Sequence, residues 1–225
     1  MALKKPTLNF EPHKERVLDL VKLIQSGQFN VAENKAKKLI KQYPNSFTIL
    51  NLLGLSLINQ DQINQGIICY KNAIRIKPNF AEAYNNLGIA FKNIGKIKEA
   101  IDCYQNAIIF KSNFAEAHNN LGLMLMEQGK INEAKINFKK ALKIKPNLAY
   151  IHRHLSIITK YTKNNPHIAE MKKIILDSKS SDNQKMHVAF GLGKVFDDIK
   201  DYKNAFKYFE QGNKLRRKKI KYNIN

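Results

Sequence analysis

Two cysteines, few arginines, few acidic residues and no long apolar run mark this chain of 225 residues. Each shortage excludes something. Cys69 and Cys103 cannot build a disulfide framework, and neither has a second cysteine or a histidine a few residues away, so no zinc-type spacing exists. Thiols are expected to pack, in a reducing compartment. No stretch reaches transmembrane length. The start, MALKKPTLNF, has lysines without an apolar run behind them, so no signal peptide is expected and the expected location is cytoplasmic. The 18 acidic residues face 39 basic ones, a net charge of +21. Such a balance can serve nucleic acid or an anionic surface. Arginine, however, is the side chain that grips phosphate bidentately, and it stands only at Arg16, Arg75, Arg153, Arg216 and Arg217. The remaining cations are lysines in a chain crowded with Ile and Asn, residues that share A/T-rich codons with Lys. A solvating lysine surface is the favoured reading, and nucleic acid the disfavoured partner.

Catalytic patterns are missing too. There is no GxSxG, HExxH or GxxxxGK[ST]. Gly191-Leu-Gly193 has Phe196 where a dinucleotide loop needs its third glycine, and no strand precedes it. His152-x-His154 cannot share an ion on a helix, where residues two apart point roughly 200° apart. His152 and His118 are expected to pack instead. The chain therefore reads as a non-enzyme, with no cofactor and no metal.

What is present is repetition. AEAYNNLG at 81–88 returns as AEAHNNLG at 115–122. In blocks of 34 starting at His13, Phe47, Ala81 and Ala115, the seventh and eighth places hold Leu53-Gly54, Leu87-Gly88 and Leu121-Gly122. The eleventh holds Leu23, Leu57, Phe91 and Leu125. Places 4, 7, 8 and 11 form one stripe of a helix. Ala32, Gly66, Ala100 and Ala134, then Tyr70, Tyr104 and Phe138, then Ala73, Ala107 and Ala141 make the stripe of a second helix. Small residues are expected where the two helices approach closely, with the aromatic beside them. Gly27, Gly95 and Gly129 suit a turn with positive φ, and Pro44, Pro78 and Pro146 stop the second helix.

These residues and this period resemble the tetratricopeptide repeat, specifically over 47–148 and more weakly over 13–46, where Asp19-Leu20 replaces Leu-Gly. The resemblance implies an all-α, right-handed superhelical solenoid of antiparallel helix pairs, about twelve helices in all. The expected organisation is a mobile segment 1–12, four units (13–46, 47–80, 81–114, 115–148), a degenerate helical unit 149–185, a final helix pair 186–219 and a tail 220–225. In the degenerate unit Ser156 stands where Gly belongs. A helix is expected from Pro166, after Asn165, and Ser181 or Asp182 should cap the next.

The family's concave groove is lined by places 2, 5, 6, 9, 12 and 13 of the first helices. Carried over, the peptide-binding set is Asn51, Asn85, Asn86, Ile89, Asn119, Asn120, Leu123 and Met126. Each asparagine amide offers a donor and an acceptor, so a stacked ladder can read an extended peptide backbone. The repeats of the O-linked N-acetylglucosamine transferases are similar in this respect. The carboxylate clamp of other family members needs Lys at place 5 and Asn at place 9; Asn85 and Ile89, then Asn119 and Leu123, do not supply it. Much of the lysine charge (Lys35, Lys37, Lys38, Lys135, Lys139, Lys140) falls on second helices, which form the convex face in the family.

The segment GLGKVFDDIKDYKNAFKYFEQGNKLRR at 191–217 resembles the close of the repeat region in bacterial tetratricopeptide sulfotransferases. That resemblance implies a following transferase domain, whose phosphosulfate-binding strand–loop–helix is not found before Asn225. Three functions stay open: a protein-interaction scaffold, the substrate-recruiting arm of a longer sulfotransferase, and a lysine-rich binder of nucleic acid or anionic surfaces. Phe206, Tyr208, Phe209, Leu215 and Ile220 would give the last helix apolar surface.

Overall fold

A computed structural model describes residues 11–220. Among the described residues there are twelve helices and no strand: α1 (Lys14–Gln25), α2 (Phe29–Gln42), α3 (Phe47–Ile58), α4 (Ile63–Ile76), α5 (Ala81–Asn93), α6 (Ile97–Phe110), α7 (Ala115–Glu127), α8 (Ile131–Ile144), α9 (Ala149–Ile158), α10 (Pro166–Leu176), α11 (Asp182–Asp198) and α12 (Tyr202–Ile220). They gather into two compact units, one ending at Ser112 and the other beginning at Asn113. Of the expected mobile N-terminal segment, residues 1–10 lie outside the described residues, as do tail residues 221–225. Glu11 is held: its carboxylate accepts from Ser46 Oγ at 2.7 Å and from the Thr48 N–H at 3.3 Å, beside the start of α3. The Ser46 hydroxyl oxygen in turn accepts from the Ile49 N–H, so the Thr48 and Ile49 donors of the first turn of α3 are satisfied.

The unit ending at Ser112 is three helix pairs. Gly27 and Gly95 take φ of +74° and +75° in the turns between partners, and Asp61 holds the same left-handed place at φ 59°. Glycine adopts this backbone without a Cβ penalty; aspartate tolerates it. The helix ends follow their prolines. Tyr43 and Lys77 leave the helical region (ψ 68° and 88°) just before Pro44 and Pro78, as the ring of a following proline requires. Lys111 does the same (φ −145°, ψ 86°) before Ser112, so proline reinforces a stop that the packing already imposes.

Close approach within a pair is set by one contact. A Cβ placed on Gly54 would meet Tyr70 Cε1 at 2.7 Å, and one on Gly88 would meet Tyr104 Cε1 at 2.6 Å. The aromatic of the second helix lies over the glycine of the first. Both rings are almost fully buried. Cys69 is half-buried and Cys103 buried, both as free thiols. Burial pushes them up to about 11 and about 12 respectively, which keeps them protonated and unreactive.

The unit from Asn113 starts in the same way. A Cβ on Gly122 would meet Phe138 Cε1 at 2.7 Å, and one on Gly193 would meet Phe209 Cδ1 at 2.7 Å; α7 packs on α8 and α11 on α12. The middle pair departs from the pattern. Helix α10 packs on α11 but touches its own partner α9 only marginally, while α11 packs broadly on α9. Ser156 and Gly191 permit this: a Cβ on Gly191 would meet Met171 Sδ at 3.1 Å and Ser156 Oγ at 3.4 Å. The serine in the glycine place is thus where α11 closes on α9. Its hydroxyl donates to the Arg153 carbonyl at 2.7 Å. Ser181, rather than Asp182, caps α11, forming a reciprocal capping box with Gln184. Asn165 caps α10, with Pro166 in its first turn.

Replacing Gly122 by Ala should cost about 1–3 kcal/mol, because the methyl needs space held by the Phe138 ring. Urea denaturation would measure it. The loss should be partly recovered in Gly122→Ala/Phe138→Leu. A Gly122→Ala protein as stable as the parent would show that the ring contact does not set the spacing.

Candidate functional site

Two arrangements can carry recognition. The first is the face of the first helices, treated unit by unit. In the unit ending at Ser112, Asn51 and Asn85 are buried, whereas Asn86 and Ile89 are half-buried. The Asn86 amide donates to Asn51 Oδ1 at 3.0 Å. In the unit from Asn113, Asn119 is buried and Asn120, Leu123 and Met126 are half-buried. His154 Nδ1 donates to Asn119 Oδ1 at 3.0 Å, and the Asn119 amide donates to Asn120 Oδ1 at 3.3 Å. One rule covers both units: the side chain at place 5 bonds to the one at place 6 of the next first helix. The buried asparagines therefore bind neighbouring helices together, and the half-exposed ones beside them meet solvent.

His118 packs as expected, buried, donating through Nδ1 to Asn137 Oδ1 at 3.1 Å. Tyr84, at the equivalent place, stacks on Phe110 with centroids 5.5 Å apart.

The second arrangement was not visible in the sequence. Because α10 stands away from α9, a cavity of about 850 Å³ opens between α8, α9, α10 and the connection 159–165. Its floor is His152, His167 and Tyr161, all buried. His152 Nε2 lies 2.7 Å from the Pro146 carbonyl, His152 Nδ1 lies 2.7 Å from His167 Nε2, and Tyr161 Oη lies 2.6 Å from His167 Nδ1. The chemistry orders the protons. The carbonyl only accepts, so His152 Nε2 carries a proton and Nδ1 accepts from His167 Nε2–H. His167 Nδ1 then accepts from the Tyr161 hydroxyl. Both imidazoles are neutral, and every polar atom of the row has a partner. The rings are 14° from parallel with centroids 4.9 Å apart, a geometry compatible with an end-on hydrogen bond.

The connection is pinned from α11. Lys194 donates to the Thr159 carbonyl at 2.6 Å and to Asp198, which also accepts from the Tyr161 N–H at 3.1 Å.

Sequence reasoning had His152 packing and not sharing an ion with His154. The two do diverge: His154 goes to Asn119 and the face of the first helices, His152 to the cavity. What it missed was His167, the fifteenth residue after His152, across an aperiodic stretch. A donor from each of His152, His167 and Glu170 lies within 4.8 Å of the others, which raises a metal site. Two observations oppose it. The nitrogens are 2.7 Å apart, against about 3.3 Å for two ligands of one tetrahedral zinc. Lys135, Lys139, Lys143 and Lys173 also line the cavity against the single carboxylate of Glu170.

Family models described as TPR repeat match residues 56–95 and 90–129, and models described as tetratricopeptide repeat match 115–148 and 187–219. Together they cover more than half of the chain, which belongs to the tetratricopeptide-repeat family. Solved structures agree. MamA is 24% identical over 89% of this chain and 96% of that one, with a TM-score of 0.54. Pseudomonas aeruginosa pilF is 15% identical over 89% and 90%, with a TM-score of 0.68. A thermophilic TPR protein of Thermus thermophilus is 16% identical over 80% and 99%, with a TM-score of 0.65. At these identities the likeness is one of fold. No curated protein matches the chain, and none of these matches bears on the sulfotransferase or N-acetylglucosamine transferase resemblance. No helix among the described residues is long and apolar enough to cross a membrane.

Burial, followed by the neighbouring His152 and Lys139, pushes His167 down to about 3. A histidine held neutral in the fold takes up a proton on unfolding once the pH falls below its ordinary value near 6.5. The unfolded chain then binds more protons than the native one, so stability should fall on acidification from about pH 6.5 downward, by about 1.4 kcal/mol per pH unit for this group. Carboxylates held low by partners, such as Glu33 and Glu82, act at lower pH. Melting temperatures at pH 7, 6 and 5 should therefore decline, with a shallower slope for His167→Gln. Equal slopes would contradict the buried neutral pair.

Proposed function

We propose that the chain is a non-catalytic interaction module in which each unit holds an extended segment of a protein partner against the face of its first helices. The family's repeats are protein-interaction scaffolds, and this supplies the general reading. The observation that supports the finer one is the repeated rung from place 5 to place 6. Buried Asn51 and Asn119 fix the neighbouring side chains Asn86 and His154. A preorganised amide costs less to order when a ligand arrives. Asn86 and Ile89 in one unit, and Asn120, Leu123 and Met126 in the other, then offer amides to a peptide backbone and apolar steps to its side chains. Asn85, beside Asn86 on the same helix, is buried.

Extended peptides selected from a library on the full chain should bind about 3- to 10-fold more weakly to Asn86→Ala or to Asn120→Ala, the loss of one or two net hydrogen bonds. Unchanged affinity in both variants removes the reading.

The sulfotransferase-arm reading keeps one supporting observation. Tyr202 and Phe206 on α12 are 64% and 70% exposed, an apolar face suited to a further packed element. Sequencing the native reading frame past codon 225 tests it. A phosphosulfate-binding strand–loop–helix would support a recruiting arm. An immediate stop codon, with no sulfotransferase encoded alongside, would leave the scaffold.

A further inference from the structure

Some lysines of the regular repeats find carboxylates at fixed places. Lys111 bonds Glu82 at 2.7 Å and Lys145 bonds Glu116 at 2.6 Å, the same two places in successive repeats, and Lys35 pairs with Asp19 and Lys37 with Glu33. Around the α8–α10 cavity cations gather against a single carboxylate, Glu170. Lys135, Lys139 and Lys143 follow one another at i, i+4 and i+8 along α8, and Lys173 faces the same space from α10. None of the four forms an ion pair among the described residues. Like charges at i, i+4 destabilise a helix by a few tenths of a kcal/mol per pair, so this stripe opposes the helix that carries it. Between the cations the walls are apolar, chiefly Leu142, Leu155 and Ile174. The floor is the neutral row of His152, His167 and Tyr161, its polar atoms already paired with one another. Such a floor neither demands hydrogen bonds from an occupant nor repels an apolar one.

We infer that this cavity is a binding site for a small organic anion, its apolar body lying on the floor and its charged group at the lysine rim. The volume of about 850 Å³ falls among small-molecule sites, roughly 300–1,000 Å³. The excess of four lysines over one carboxylate, Glu170, sets the sign of the ligand. The site lies wholly within the unit from Asn113 and does not use the asparagine faces, so it stands or falls independently of the peptide reading. It exists because the repeat is broken: a regular second helix packed on α9 would fill the space.

The full chain can be titrated with 1-anilinonaphthalene-8-sulfonate, an aromatic sulfonate whose fluorescence reports entry into an apolar site. The uncharged N-phenyl-1-naphthylamine serves as its comparison. Saturable binding at one site per chain is expected, stronger for the sulfonate than for the neutral amine. Lys139→Glu/Lys143→Glu should weaken the sulfonate about tenfold or more and leave the amine unchanged. Lys203→Glu/Lys207→Glu, on α12, makes the same change in net charge away from the cavity and should leave both unchanged. Amide chemical shifts on sulfonate binding should move at Tyr161 and His167. Equal affinity in the Lys139/Lys143 variant, equal losses in the two double variants, or shifts confined to residues outside the cavity would each overturn the assignment. Circular dichroism of the variants separates a lost site from a lost fold.

Discussion

An aromatic ring lying on a glycine is the contact on which this molecule is built. Four times the ring of a second helix covers the glycine of the first: Tyr70 on Gly54, Tyr104 on Gly88, Phe138 on Gly122 and Phe209 on Gly193. The ring needs the glycine, since any Cβ would stand within 3 Å of it. The glycine needs the ring, since without it the helices would lose the buried area that pays for ordering them. Neither partner can change alone, and the pair fixes the distance and register at which one helix meets the next. The left-handed turns at Gly27, Gly95 and Gly129, and equally at Asp61 and Lys200, deliver the second helix to that register.

The same logic explains the irregular stretch. Where the first helix carries Ser156 instead of glycine, the side chain lies beside Gly191 of α11. The close approach has moved from within a pair to between α9 and α11. Helix α10, left without the contact that would seat it on α9, stands on α11 through Ile168, Met171, Ile174 and Ile175, all buried. The cavity is the geometric remainder of that exchange. Its residues are tied by the histidine–tyrosine row and by the Lys194–Asp198 anchor on the connection.

How far the sequence could be read follows from which constraints are periodic. The ring-on-glycine contact repeats every 34 residues, so its places were legible, as were the turns and the caps at Asn165 and Ser181. The expectation that Ala at place 20 and Gly at place 8 jointly mark the approach needed refinement, because the atoms nearest a Cβ on Gly54, Gly88 and Gly122 belong chiefly to the aromatic. The recurrence of the asparagines at places 5 and 6 was legible, but not their division of labour. Burial separates Asn51, Asn85 and Asn119 from Asn86 and Asn120, and adjacent positions of one residue type carry no mark of that in sequence. The His152–His167 pair was illegible, since it joins two helices whose relative placement follows no period. Only the excess of three residues in 149–185 hinted that something there was displaced.

A repeat protein gains new surface most readily where its periodicity lapses. Regular pairs are tightly constrained on both sides, because each residue serves its own pair and the stacking of the next. Their exposed places can vary, but their interiors cannot open. A displaced helix releases that constraint locally while the neighbours keep their contacts, and here it leaves a pocket lined by side chains from three helices. The charges follow suit. Within the regular repeats Glu82 and Glu116 neutralise Lys111 and Lys145 at fixed places. Beside the displaced helix the lysines of α8 keep their spacing but face a space with one carboxylate. Part of a net charge of +21 is thus gathered around one concave space, where four lysines face a single carboxylate.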